Sequence, residues 1–401
     1  MDNKGLEAKI EEILTRGVSE VIDKEHLKKR LLSGEKLKVK YGADPTRPDL
    51  HLGHAVGMRK LKALQDLGHH IIFIIGDYTA RIGDPSGASK TRPELSEDEI
   101  KKNSETYLNQ AKKILDTSKV EIRKNSEWFS RMGLGEIIKI ASNFTVARTI
   151  ERDDFQKRMK KGTDIGLHEL LYPLMQAYDS VVLDIDLEVE GNDQKFNVHA
   201  GRELQRKLGK KEQDILLVPI LVGLDGKEKM SKSLDNYIGI TEEPNQMFGK
   251  AMSIPDNVIT SYFELCTDTP MEKIKQMEKN MKSGKLNPRD AKFNLASEIV
   301  KIYHGQERAN EAGHYFMQTF SERKTPANIP AVDVKAGEKL TNVLVKSGNA
   351  KSLGDARRKI EQGGVEIDGK KISDWKMILD NKYNGMVIKI GKFGFVKIKF
   401  Q

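Results

Sequence analysis

Two short stretches carry side chains whose types and spacing suit the handling of a triphosphate. In DPTRPDLHLGHAVG, residues 44 to 57, His51 and His54 stand three apart. Pro48 and Asp49 signal a helix start, so both imidazoles fall in the first turn and on one face. Gly53 between them removes a side chain where a flat ligand can approach the backbone. The free amides and the positive end of the helix dipole favour an anion there. Far downstream, DGKEKMSKSLDNYIG (residues 225 to 239) follows the apolar run ILLVPILVG. Its Lys229 and Lys232, also three apart, can neutralise charge that grows on a leaving pyrophosphate. Taken singly, each stretch has an ordinary alternative: a pair of incidental capping histidines, or a solvated lysine loop. A zinc pair is not supported, because the histidines have no nearby third ligand and Cys266 is the single cysteine.

Such groups must be held by a rigid frame. Leu37–Tyr41, Ile71–Ile75, Val181–Ile185 and Ile215–Ile220 read as strands apolar on both faces, separated by helical patterns. That arrangement predicts an α/β domain with a Rossmann-like, doubly wound parallel sheet. Ligands of such sheets sit beyond the carboxyl ends of the strands. The polar, glycine-rich segments follow those ends: GADPT, GDYTARIGDPSG, EGNDQ and the KMSKS stretch. From Thr241 to Phe320 the pattern is helical, and Lys324–Pro330 reads as a linker.

The chain has 401 residues, 38% apolar and 32% charged, with no apolar run of membrane-spanning length. The charged, helix-like start excludes a secretory signal, and one cysteine agrees with a reducing cytoplasm. Residues 336 to 401 carry +7 of the net +9. There Ser352 can cap a helix through Arg357, Arg358 and Lys359 that Gly363-Gly364 would stop. Val365–Lys370 supplies a strand and an Asp-Gly turn, and Val387–Phe400 alternates apolar residues with lysines. Arg357, Arg358, Lys359, Lys370 and Lys371 thus form a basic surface suited to RNA phosphates. The predicted organisation is 1–240 catalytic, 241–323 α-helical, 324–335 linker and 336–401 RNA-binding.

HLGH resembles one signature of class I aminoacyl-tRNA synthetases, and KMSKS matches the other. GADPTRPDLHLGH, IGDPSG, LYPLMQAYD and EGNDQKFN, followed by the basic module, look like tyrosyl-tRNA synthetases of the bacterial type. The resemblance covers nearly the whole chain. It implies activation of L-tyrosine by ATP, with Mg2+ carried by the nucleotide, and transfer to tRNA(Tyr). It implies Thr46 and His51 at the ATP phosphates, His54 and Gly53 against the ribose and adenosine, and Asp193 on the ribose. Asp44 and Lys229-Met230-Ser231-Lys232 complete the ATP set. Thr79, Asp84, Tyr172, Gln176 and Gln194 would surround tyrosine, with Asp179 on the phenol. It further implies a homodimer through helices between roughly Ser130 and Phe155, and no protein-held metal. Two departures stand out. Lys40 occupies the place of a tyrosine that often serves as a second phenol partner, and Tyr41, one residue on, points to the opposite face. Ala88 stands where a lysine is common, with Arg92 nearby. Rival readings are a tryptophanyl-tRNA synthetase, a small adenylyltransferase using an HxGH helix start, and a non-catalytic RNA-binding relative.

Overall fold

A computed structural model describes residues 2–45, 49–85, 96–321, 329–391 and 394–400. The chain forms two compact units, residues 1–241 with 254–295, and residues 242–253 with 296–401.

The first unit is built on a six-stranded sheet: β1 Glu20–Ile22, β2 Lys38–Ala43, β3 His70–Ile75, β4 Val120–Lys124, β5 Leu187–Gly191 and β6 Asp214–Val218. The order is β1-β6-β5-β2-β3-β4, and every pairing is parallel except that of β1 with β6. From β2 the chain runs outward through β3 to β4, and it returns to the other side with β5 and β6. The switch point therefore lies between β2 and β5, where a crevice opens at the carboxyl ends of the strands. Ile71 to Ile75 are all buried, as a strand covered on both faces requires. The helix Leu52–Asp66 buries Leu52, Ala55, Val56, Met58, Leu61 and Leu64, the stripe expected of an amphipathic helix lying on a sheet.

One predicted strand is corrected. Val181–Ile185 is the end of a helix, Tyr172–Val182, followed by a turn in which Asp184 adopts φ 48°. Leu183 and Ile185 instead join Ile72, Ile74, Trp128, Phe129 and Met175 in a local core. A short apolar run fits a helix end as well as a strand, and here the helix claimed it. The true strand is β5, whose Glu188 and Glu190 are nevertheless buried. Strands β1 and β4 also went unread, because both are short and carry polar residues.

The second unit contains the helices Pro244–Met252 and Gln306–Phe316, with Phe248 against Phe316 at 5.5 Å between ring centroids. It also contains a small sheet of β7 Ala331–Val334, β8 Val365–Ile367, β9 Lys370–Lys371, β10 Val387–Ile390 and β11 Gly394–Phe400. These run in the order β7-β11-β10-β8-β9. Ser352 caps the helix Leu353–Glu361 by accepting the Asp355 amide at 3.2 Å. Asp368 and Gly369, both at positive φ, make the β8–β9 turn. Residues 324–328 of the predicted linker lie outside the described residues.

Candidate functional site

Backbone pairing brings the two signatures together. The Leu52 amide donates to Ile238 O at 3.0 Å, and the Ile240 amide donates to Leu50 O at 3.1 Å. A bridge between His51 and Gly239 thus ties the exit of the lysine loop to the start of the histidine helix. The loop folds back on the end of β6, with the Met230 amide donating to Leu221 O at 2.8 Å. Asn236 staples it, donating to Asp225 Oδ2 at 2.5 Å and accepting the Ser231 amide at 2.7 Å. Met230 is buried beneath it, and Ser231 shares a hydrogen bond of 2.7 Å with Ser233.

A cleft of about 310 Å³ opens at the switch point, lined by residues of β2, β5, the two signatures and the helix Tyr172–Val182. On its nucleotide side the rings of His51 and His54 lie 3.9 Å apart between centroids, tilted by 45°. The His51 amide donates to His54 Nδ1 at 3.3 Å, and His51 Nδ1 is buried without a hydrogen-bond partner. A Cβ at position 53 would meet the His51 ring at 3.0 Å, so glycine is what lets the imidazole lie against the backbone. Burial, then the neighbouring lysines, pushes His54 down to about 3; burial, then His54 and the lysines, holds His51 well below the ordinary histidine value. Both imidazoles are therefore neutral, and the positive charge comes from the loop. Lys229 pairs with Asp193 at 3.2 Å. Lys232 lies 6.0 Å over the ring of Tyr107, which is itself edge-on to His54 at 6.1 Å.

The opposite side holds two groups of hydrogen-bonded side chains. Asp44 accepts from Thr79 Oγ1 at 2.8 Å and from the Tyr172 hydroxyl at 2.9 Å. Gln194 donates to Asp84 at 2.7 Å and accepts from Asn197, which also donates to Gln176 Oε1 at 2.9 Å. Tyr172, Gln176 and Asp179 share a helical face turned to the cleft, as their spacing predicts. Asp179 is buried and accepts the Trp128 indole N–H at 3.0 Å, with the Asn125 amide at 3.5 Å. Burial raises its carboxyl to about 7, despite the opposing charge of Lys40 and the bonds from Trp128 and Asn125.

Lys40 lines the cleft, but its ammonium is engaged by protein groups rather than left for a phenol. Its ammonium is buried against Glu188 at 2.8 Å, Ser180 Oγ at 2.8 Å and Gln176 O at 3.1 Å. The parallel register sets Lys40 directly beside Glu188. Tyr41 turns the other way, against Phe73 at 5.6 Å and the backbone of Gly57.

Of the residues expected at the site, Asp44, His51, Gly53, His54, Thr79, Asp84, Tyr172, Gln176, Asp179, Asp193, Gln194, Lys229, Met230 and Ser231 all line the cleft. Thr46, Ala88 and Arg92 lie outside the described residues. Sequence reasoning missed Asn125, Trp128, Tyr107, Asn197 and Glu190. Asn125 and Trp128 follow β4, so recognising that strand would have drawn attention to them. Away from the cleft, Arg357 stacks on Trp375 at 4.5 Å and Lys370 and Lys371 are exposed on β9. Lys359 is turned inward, donating to Asn349 O at 2.7 Å and pairing with Asp355 at 3.0 Å. Among the described residues, no group of three or more His, Cys, Asp or Glu side chains is arranged to hold a metal ion, and no helix is long and apolar enough to cross a membrane.

Residues 32–321 match the family model for class I tRNA synthetases (W and Y), and residues 322–396 match a tyrosine–tRNA ligase C-terminal domain. The chain is 49% identical over 401 residues to a tyrosine–tRNA ligase of Carboxydothermus hydrogenoformans, covering 97% of each. It is 47% identical to one of Thermotoga maritima, covering 96% of each. Its fold is similar to that of the Archaeoglobus fulgidus tyrosyl-tRNA synthetase complexed with L-tyrosine, with a TM-score of 0.62, 26% identity and coverage of 78% of this chain and all of that one. The tryptophanyl-tRNA synthetase of Plasmodium falciparum shares the fold at a TM-score of 0.59, with 16% identity, 78% of this chain and 92% of that one covered. Two signatures meeting over one switch-point cleft, a buried acid at its depth and near-full-length likeness to these ligases lead to one conclusion: the chain belongs to the tyrosine–tRNA ligase family of class I tRNA synthetases.

Proposed function

We propose that this chain activates L-tyrosine with MgATP to tyrosyl-adenylate and pyrophosphate, then transfers the tyrosyl group to the terminal adenosine of tRNA(Tyr). The observation that carries the reading is the shape of the cleft, with nucleotide-type groups at one end and a buried acid, Asp179, at the other. The tyrosine carboxylate is already ionised and attacks the α-phosphorus, forming a C–O–P link while the α–β phosphoanhydride bond breaks. No general base is needed, so positioning and charge stabilisation carry the step.

In this reading the neutral imidazoles of His51 and His54 donate hydrogen bonds, and Thr46 is also assigned to the phosphates. Asp193 takes the ribose, which releases Lys229 to join Lys232 on the departing pyrophosphate. Thr79, Asp84, Tyr172, Gln176 and Gln194 hold the amino acid, and the tyrosine hydroxyl bonds Asp179. Phenylalanine would leave that buried carboxyl without its partner, which opposes its binding. Magnesium travels with the nucleotide as part of the substrate.

A second cavity, of about 720 Å³, adjoins Asp193 and is lined by Phe144, Arg148, Lys157, Lys161, Lys195 and Phe196 among others. The exposed Arg357, Arg358, Lys370 and Lys371 suit RNA phosphates elsewhere on the tRNA. A homodimer is supported by the helix Leu134–Ala141, which buries none of its residues and exposes Leu134 (75%) and Ile138 (58%). A cytoplasmic setting fits the single, buried thiol of Cys266.

Pyrophosphate exchange into ATP, run with tyrosine, with tryptophan and with no amino acid, tests the activity. Exchange dependent on tyrosine alone is expected. Exchange with tryptophan, or none with either, would refute the assignment.

A further inference from the structure

Among the buried titratable groups that the mechanism leaves unused is Glu190. It is the penultimate residue of β5, on the rim of the switch-point cleft, and it is 5% exposed. One carboxyl oxygen, Oε1, accepts the Gly42 amide of β2 at 2.9 Å. Among the described residues no ion pair holds it. Lys40, whose charge with the Gly42 bond favours the ionised form, is itself paired with Glu188 at 2.8 Å, two residues earlier on the same strand. Glu188 and Asp193 are the acids that act on Glu190, and both oppose its ionisation. Burial is the larger cause, and together they hold the carboxyl well above the ordinary glutamate value. It lines the same cleft as His51 and His54 on one side and Tyr172 and Asp179 on the other.

That place is hostile to a carboxylate, because the reaction brings the tyrosine carboxylate against the α-phosphate there. We propose that Glu190 is a nucleotide-contacting residue of the activation step, a neutral carboxylic acid that accepts the Gly42 amide on one oxygen and donates from the other to an oxygen of the adenosine 5′-phosphate moiety. The inference rests on the reading of the cleft given above. The acceptor is a ribose hydroxyl or a non-bridging α-phosphate oxygen, and both ask for the same donor. A carboxylic acid anchored through its carbonyl oxygen presents only its O–H to the cleft. Glutamine anchored in the same way presents only its N–H2. Methionine fills the same length and presents neither.

The test is tyrosine-dependent pyrophosphate exchange by the full chain, comparing wild type, Glu190→Met and Glu190→Gln. Glu190→Met is expected to lower kcat/KM for ATP by about tenfold, the worth of one buried hydrogen bond. Equilibrium binding of tyrosine without ATP should be retained. Glu190→Gln should recover most of the loss. Repeating the comparison with 2′-deoxy-ATP and 3′-deoxy-ATP locates the contact. If the Met defect disappears with one analogue, the missing hydroxyl is the acceptor; if it persists with both, the α-phosphate is. Three results overturn the proposal: Glu190→Met matching wild type, Glu190→Gln as impaired as Glu190→Met, or parallel loss of ATP and tyrosine binding. Absence of tyrosine-dependent exchange in the wild type would instead remove the underlying assignment, before any variant is compared.

Discussion

Asp179→Asn isolates the electrostatic character of the deep end of the cleft. Asp179 is 4% exposed, and its carboxyl is raised from the usual 3.8 to about 7, chiefly by burial. The folded protein therefore keeps a proton that the unfolded chain releases as pH rises above about 4. The contribution to stability is fully present below pH 4, is lost as pH climbs towards 7, and is constant above that. Moving from 3.8 to about 7 is worth about 4 kcal/mol, at about 1.4 kcal/mol for each power of ten in proton affinity. Relaxation around the charge makes this an upper limit. Asparagine keeps an acceptor for the Trp128 indole and has no proton to lose. Relative to wild type, Asp179→Asn should thus gain up to about 4 kcal/mol between pH 4 and 7. Urea unfolding at a series of pH values measures it. Fluorescence of Trp128, with Trp375→Phe introduced in both proteins, confines the signal to the catalytic unit, because the chain has two tryptophans. Saturating tyrosine should flatten the wild-type dependence, since a phenol donating to the carboxylate stabilises the ionised form. A stability difference that stays constant from pH 4 to 8 would show that Asp179 ionises as it does in water, and the desolvation reasoning would fail.

Other expected outcomes are as direct. Lys232→Ala should slow pyrophosphate exchange at least tenfold while leaving tyrosine binding without ATP unchanged, as stopped-flow and equilibrium titration would show. Lys40→Leu leaves Glu188 buried and unpaired, and should cost about 3–5 kcal/mol in urea unfolding; adding Glu188→Leu should recover much of it. Arg357→Glu with Arg358→Glu should weaken tRNA charging and reduce its salt dependence, while exchange continues at the wild-type rate. Unaltered charging at physiological salt would make those arginines incidental.

The legible parts of the fold were those with strong local signals. Ile71–Ile75 could be read as a buried strand because five apolar residues in a row leave little else. The helix from Leu52 announced itself through Pro48, Asp49 and the spaced histidines, of which His51 proves to be the N-cap and His54 a first-turn residue. Ser352, Gly363 and the Asp368-Gly369 turn carry local backbone preferences, and each occurs as expected. Reading failed where side-chain type and burial disagree. Glu188 and Glu190 look like surface residues, yet both are buried, one by pairing with Lys40 and the other by the Gly42 amide. Val181–Ile185 looked like a strand because a short apolar run carries no period long enough to separate a strand from a helix end.

By itself the sequence determined the chemical cast and the order in which it appears: two imidazoles opening a helix, two ammonium groups in a loop, a trio on one helical face, and a basic appendage. These follow from residue type and spacing within a few turns of chain. Only the tertiary structure decided which of them share one volume, and in which charge state. The crossover from β4 to β5 sets Lys40 beside Glu188 and Gly42 beside Glu190, pairs more than 140 residues apart whose proximity no local preference encodes. Desolvation in the resulting cleft then makes His51 and His54 neutral and raises Asp179 and Glu190. Proton affinity depends on how much water the fold removes, and that quantity exists only once the chain has closed around the site.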